Sequence, residues 1–164
     1  MKSFNKFIND KNLPSQIKST SGSEELLKEM LAILRAQYWN YQTSHWQSNG
    51  LNYYGNHLLF QRLYEGVQGE IDTIAEKIVG YFKKESVDGL DSMKKTQEWL
   101  TRWNKTSDLI DRGIESEQDF QASIKRVYDT IKNNDDMHLG LDDFLMAISS
   151  SHDTNLYLLQ QIKR

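Results

Sequence analysis

The chain has 164 residues, enough for one domain with a sizeable core, and its apolar and aromatic shares of 38% and 11% suit a globular protein. It contains no cysteine, which excludes disulfides and thiolate metal sites, and its net charge of −3 gives no general attraction to nucleic acid. No run approaches the ~20 apolar residues of a membrane span and the start has no apolar signal segment, so a cytoplasmic location is the expectation.

Residues 1–22 read as a flexible polar and basic leader. Lys2, Lys6, Lys11 and Lys18 stand there against Asp10 alone. A single folded domain is expected over 23–164. Pro14 is the one proline, so no later residue breaks a helix on proline grounds. Ser21 and Glu24 have the spacing of a capping box. Leu27, Leu31, Leu34, Tyr38 and Tyr41 then recur at steps of four and three, which is one face of a helix, and the next step lands on His45.

Asn49-Gly50 marks a turn. A second helix is expected over 54–82, with Phe60, Tyr64, Val67, Ile71, Ile74 and Ile78 as its stripe. A short turn between two such helices makes an antiparallel hairpin. Residues 83–115 are mixed in pattern. Asp88-Gly89 signals a turn, and a short helix is expected over 91–103 with Met93, Trp99 and Leu100 as its contacts. A third long helix is expected over 116–133, carrying Phe120, Ile124, Val127, Tyr128 and Ile131. Asn133-Asn134 and Gly140 bracket a loop that should leave His138 exposed. The last helix starts near Leu141 and uses Leu145, Ile148, His152, Leu156 and Leu159, with His152 read as a core residue. The fold class is therefore all-α. Four long helices with one long crossover between the second and third, carrying a short extra helix, match a ferritin-like four-helix bundle.

Four side chains suggest metal chemistry: His45, His57, Asp72 and Glu76. The hairpin brings the end of the first helix to the start of the second, so the two imidazoles can meet. Asp72 and Glu76 are four apart and share a helix face. His57 and Asp72, however, are 15 residues apart on one helix, roughly 22 Å at the helical rise. Ligands of one ion lie within ~2.0–2.3 Å of it. If these four share a metal, the acids must come from a second copy, and a twofold contact would make two equivalent sites. An ordinary di-iron centre inside the bundle is disfavoured, because such sites use Glu-x-x-His on two helices. The residues three before His45, His57, His138 and His152 are Gln42, Tyr54, Asp135 and Ser149.

The set His45-Trp46, Gly50, Tyr53-Tyr54, His57, Phe60, Tyr64 and the run from Asp72 to Ile78 resembles the core signature of the Dps family, the mini-ferritins that protect DNA during starvation. The detailed match covers about residues 30–80; beyond it, His152 and Tyr157 to Leu159 match more loosely. The resemblance implies a homododecameric hollow shell built from homodimers. It implies ferroxidase-type oxidoreductase activity, in which Fe(II) is oxidised, preferably by hydrogen peroxide, and iron is stored or detoxified. His45 and His57 of one subunit, with Asp72 and Glu76 of its twofold mate, would bind iron, or zinc in its place. Trp46 would serve either packing or the trapping of an oxidising equivalent; Tyr53 and Tyr54 read as packing. The lysines of the leader would contact DNA and place the protein on the nucleoid. The pattern departs at Gln61, where the family has an acid, and at Leu58 and Arg62, where it has acidic residues linked to mineral nucleation. An uncharged amide ligates iron poorly, so tight binding of a second iron is not expected. A second reading follows from these departures: a shell with degraded iron chemistry, acting as scaffold or DNA compactor. A third, an unrelated helical adaptor, predicts a monomer or small oligomer.

Overall fold

A computed structural model of the protein describes residues 21–163. The leader lysines Lys2, Lys6, Lys11 and Lys18 lie outside the described residues. Five α-helices and one 3-10 turn make up the described part: α1 (Ser21–Gln47), α2 (Tyr53–Tyr81), the turn Lys84–Ser86, α3 (Gly89–Trp103), α4 (Leu109–Asn133) and α5 (Leu139–Ile162). None of these helices is long and apolar enough to cross a membrane. The long helices α1, α2, α4 and α5 form the bundle, and α3 rides on the outside of α1 within the crossover.

The α1–α2 hairpin turns at Gly50, whose φ of 77° lies in the left-handed region that glycine enters without steric cost. The heptad-like steps read from the sequence become the core. Leu27, Leu31, Leu34 and Tyr41 of α1 meet Phe60, Val67, Ile74 and Ile78 of α2, all buried. Phe120, Ile124, Val127 and Ile131 of α4, with Leu141, Leu145, Ile148 and Leu159 of α5, close the other side. Where α4 crosses α5 and α2, Gly113 lets the backbones approach. A Cβ there would meet Leu159 Cδ2 at 3.1 Å and Phe60 Cε1 at 3.6 Å.

Three expectations need correction. Helix α4 begins at Leu109, seven residues before the expected 116. Its start is set by Asp108, whose carboxylate accepts from the backbone N–H groups of Ile110 at 3.0 Å and Asp111 at 2.9 Å, satisfying donors that a helix leaves open at its first turn. Helix α3 keeps two of its three expected contacts, Trp99 and Leu100, half-buried against the core, and loses the third. Met93 is exposed, while Ser92, Thr96 and Trp103 are buried. Polar bonds guide that choice: Thr96 Oγ1 donates to the Ala32 carbonyl at 3.3 Å, and the Trp103 indole N–H donates to Asp119 Oδ2 of α4 at 2.8 Å. His138 is half-buried at the head of α5, where its ring stacks on Tyr81 with centroids 5.6 Å apart.

Because the Asp108 side chain caps two backbone donors, Asp108→Ala should lower stability in urea unfolding by about 1 kcal/mol, and Asp108→Ser should recover most of that loss. Unchanged stability in the alanine variant would show that the cap does not set the start of α4.

Candidate metal centre

Two imidazoles cross at the head of the hairpin. His45, in the last turn of α1, and His57, in the second turn of α2, stack face to face with centroids 3.6 Å apart and planes inclined by 21°. Each ring is tied to the other's backbone. His45 Nδ1 lies 2.8 Å from the His57 carbonyl oxygen, and His57 Nδ1 lies 2.9 Å from that of His45. A carbonyl can only accept, so both Nδ1 atoms carry the proton. In the neutral imidazole this leaves the Nε2 lone pair free on each ring. An Nδ1–H tied to a carbonyl is the arrangement that orients metal-binding histidines and raises their basicity. The pair is walled by aromatic rings: Tyr53 stacks on His57 at 5.1 Å, and Tyr64 meets His45 edge-on at 5.5 Å. Tyr53 and Tyr54 are both exposed, and of the two Tyr53 is the one whose ring stacks on the pair.

The acid pair is elsewhere. Asp72 and Glu76 lie on the exposed face of α2, and α2 runs unbroken from His57 past both of them. Among the described residues no group of three or more His, Asp or Glu side chains is placed to hold one metal ion. The structure thus brings His45 and His57 together and leaves Asp72 and Glu76 apart from them within the chain. Gln61 is half-buried and donates through Nε2 to Glu65 Oε1 at 2.8 Å. Trp46 is 67% exposed, so it does not pack into the core of its own chain.

A second polar cluster, absent from the sequence reading, lies in the middle of the bundle. His152 of α5 is fully buried but is not an apolar core residue. Its Nδ1 lies 2.5 Å from Glu117 Oε2 of α4, and its Nε2 lies 2.9 Å from Glu70 Oε2 of α2. The Tyr41 hydroxyl of α1 donates to Glu117 Oε1 at 2.6 Å. All four long helices therefore contribute to one hydrogen-bonded chain. Burial alone would push the His152 imidazole down. The charge of Glu117 and the hydrogen bonds to Glu117 and Glu70 outweigh it and raise the ring to about 9. Burial and the neighbouring Glu117 also push the Tyr41 phenol well up, so it stays protonated as a donor. The sequence carried one signal for this cluster: Glu117 falls within the stripe Ile110, Gly113, Phe120, Ile124 and Val127, where an apolar residue belongs.

Comparison with known proteins follows the same line. Residues 24–163 match the model of the ferritin-like domain family. Among solved structures, Dps from Thermosynechococcus elongatus superposes with a TM-score of 0.73 at 18% identity, covering 88% of this chain and 91% of that one. Dps from Bacillus brevis gives 0.72 at 20% identity, covering 88% and 96%. Dps from Vibrio cholerae O1, described as a member of a broad superfamily of ferritin-like diiron-carboxylate proteins, gives 0.73 at 15% identity, covering 88% and 90%. These likenesses establish the fold. An uncharacterised protein of Haemophilus influenzae is 32% identical over 53 residues, a stretch that spans 32% of this chain and 33% of that relative.

The raised His152 fixes a pH dependence. A group whose folded value exceeds its unfolded one stabilises fully below the unfolded value, near 6.5, and loses that contribution as pH rises through the folded value, about 9. Thermal stability should therefore fall across that window, and His152→Leu should flatten this part of the profile. The same variant should lower stability at pH 6 by ~3–5 kcal/mol, because it leaves Glu117 buried without its cation. An identical pH profile in the variant would contradict this assignment.

Proposed function

The chain belongs to the ferritin-like family, and from that premise we propose that it is a Dps-type protein that binds and oxidises ferrous iron at a site shared between twofold-related subunits. The observation that carries this reading is the reciprocal bonding of His45 and His57, which stacks the two rings, sets their tautomers and leaves an Nε2 lone pair free on each. The missing charge would come from Asp72 and Glu76 of a partner copy. Support for that placement lies in the outer face of α2. Tyr54, Leu58, Asp72, Glu76 and Val79 are all exposed there, a mixed surface that includes apolar residues near both ends. Gly69, three residues before Asp72 on the same face, has open space around it, so a second helix can approach closely. In an antiparallel pair with its axis at the level of Gly66, His57 lies nine residues before that point, and Asp72 and Glu76 lie six and ten after it. The histidines of each copy then face the acids of the other.

The chemistry follows from the ligand types. Carboxylates stabilise Fe(III) more than Fe(II) and so favour electron loss. Two Fe(II) ions give one electron each to hydrogen peroxide, whose O–O bond breaks, and with two protons the oxygens leave as two waters. Gln61 brings no charge and its amide is engaged by Glu65, so one iron is held tightly and the second Fe(II), which supplies the second electron, binds only transiently. Leu58 is exposed and Arg62 is cationic, so the positions beside His57 offer no acidic surface for mineral growth. The role is therefore iron oxidation and detoxification within a self-assembled shell. Removing both Fe(II) and peroxide protects DNA whether or not the leader binds it. Trp46 follows His45 and is exposed, which supports a role as acceptor of a stray oxidising equivalent. The residues at 58, 61 and 62 favour a second reading, a shell of the same fold that serves as scaffold. It predicts a large particle with little iron uptake.

Stopped-flow oxidation of Fe(II) by peroxide checks the first reading. His57→Ala and Asp72→Ala should each slow the reaction at least tenfold while leaving the particle mass unchanged. Equal rates in wild type and both variants would reject the site and leave the scaffold reading.

A further inference from the structure

A groove of about 430 Å³ runs between α1 and α3 and reaches the first turn of α4. Its lining includes Arg112 and Asn40, which are only 7% and 4% exposed. Arg112 is unusual. Among the described residues no carboxylate forms an ion pair with it, and its guanidinium meets only neutral oxygens: Asn104 Oδ1 at 2.8 Å, Ser44 Oγ at 3.3 Å and Gln47 Oε1 at 3.5 Å. Its Nε has no hydrogen-bond partner, and neither does Asn40 Nδ2. Both orphans are N–H donors. Burying a cation without a counter-charge is costly, and so is burying an unpaired donor. Burial accordingly pushes the Arg112 guanidinium down, with no neighbouring acid to offset it. An acceptor-rich anion in the groove would supply the missing counter-charge. The rest of the groove says more about the ligand. Trp39 and Trp46 line it and are largely exposed, offering flat apolar surface, and Thr101 adds a hydroxyl. The volume exceeds what an inorganic oxyanion fills and falls in the range of small-molecule sites.

We propose that this α1–α3 groove binds a small organic oxyanion, a phosphate or carboxylate group carried on a flat apolar body, with the anion at Arg112 and Asn40 and the body against Trp39 and Trp46. The guanidinium suits planar, bidentate recognition of such a group. This inference does not depend on the iron reading, since none of the four iron ligands takes part.

Isothermal titration of the full-length protein with phenyl phosphate, at fixed ionic strength in chloride, tests it. Inorganic phosphate and phenol serve as the two halves of the probe. Phenyl phosphate should bind more tightly than either half. Arg112→Gln should weaken it at least tenfold. Thr101→Glu, a change at an exposed rim position that needs no repacking, should weaken it by a similar factor by placing a carboxylate in the groove. No binding to the wild type, or binding to Arg112→Gln and Thr101→Glu as tight as to the wild type, would overturn the proposal. So would a drop in particle mass in Arg112→Gln without any response to phenyl phosphate in the wild type, which would assign the guanidinium to a contact between subunits.

Discussion

Two hydrogen bonds at the head of the α1–α2 hairpin fix the geometry on which the proposed chemistry rests. Each of His45 and His57 donates to the carbonyl of the other, so neither ring can rotate or change tautomer without breaking a bond to the opposite helix. The same bonds pin the register of the hairpin, because a slip of one residue would carry both rings away from their carbonyls. A local device of this kind does structural and chemical work together: it ties the two helices across the turn at Gly50 and leaves one nitrogen lone pair free on each ring. The rigid length of α2 then dictates the rest. Asp72 and Glu76 on its far half are out of reach within the chain, so a metal site using them together with His45 and His57 would have to be assembled between subunits.

Deep in the bundle a different logic holds. Glu70, Glu117, His152 and Tyr41 replace what could have been a few more aliphatic side chains. Swapping such a network for apolar residues of similar volume is often neutral or stabilising, whereas removing one member leaves a buried charge exposed to low dielectric. Its presence therefore signals specificity of packing more than strength. One hydrogen-bonded chain touching α1, α2, α4 and α5 allows a single register of the four helices. Apolar contacts such as Leu27 against Ile78 would tolerate several.

Much of the fold was legible in the sequence because its helices are long and their stripes regular. Phe60, Val67, Ile74 and Ile78 are buried as their spacing requires, and so are Leu145, Ile148 and Leu159. Reading failed where polar residues take inward positions. The first turns of α4 carry Arg112, Ser116 and Glu117, all buried, and a pattern that counts polar residues as solvent-facing reads this stretch as a loop. Only the side-chain cap from Asp108 marks its start. In helix α3 the contacts at Trp99 and Leu100 were legible, but Thr96 and Ser92 face inward while Met93 faces out. The histidine pair was legible through hairpin geometry, but the carbonyl bonds that orient it were not, since they depend on how deeply the two helices interlock. His152 was rightly placed inside, but its partners were not legible, because they come from helices far apart in sequence.

The claim that most needs testing is that each site draws its imidazoles and its carboxylates from different subunits. Co-assembly of His57→Ala and Asp72→Ala subunits tests it directly, with peroxide-dependent Fe(II) oxidation as the readout. In a mixed dimer one site loses both ligand types and the other keeps all four, so the mixture should regain a substantial part of the wild-type rate that neither variant shows alone. If mixed shells, verified by mass, stay as inactive as the two parents, the ligands are not shared across the twofold axis and the account fails.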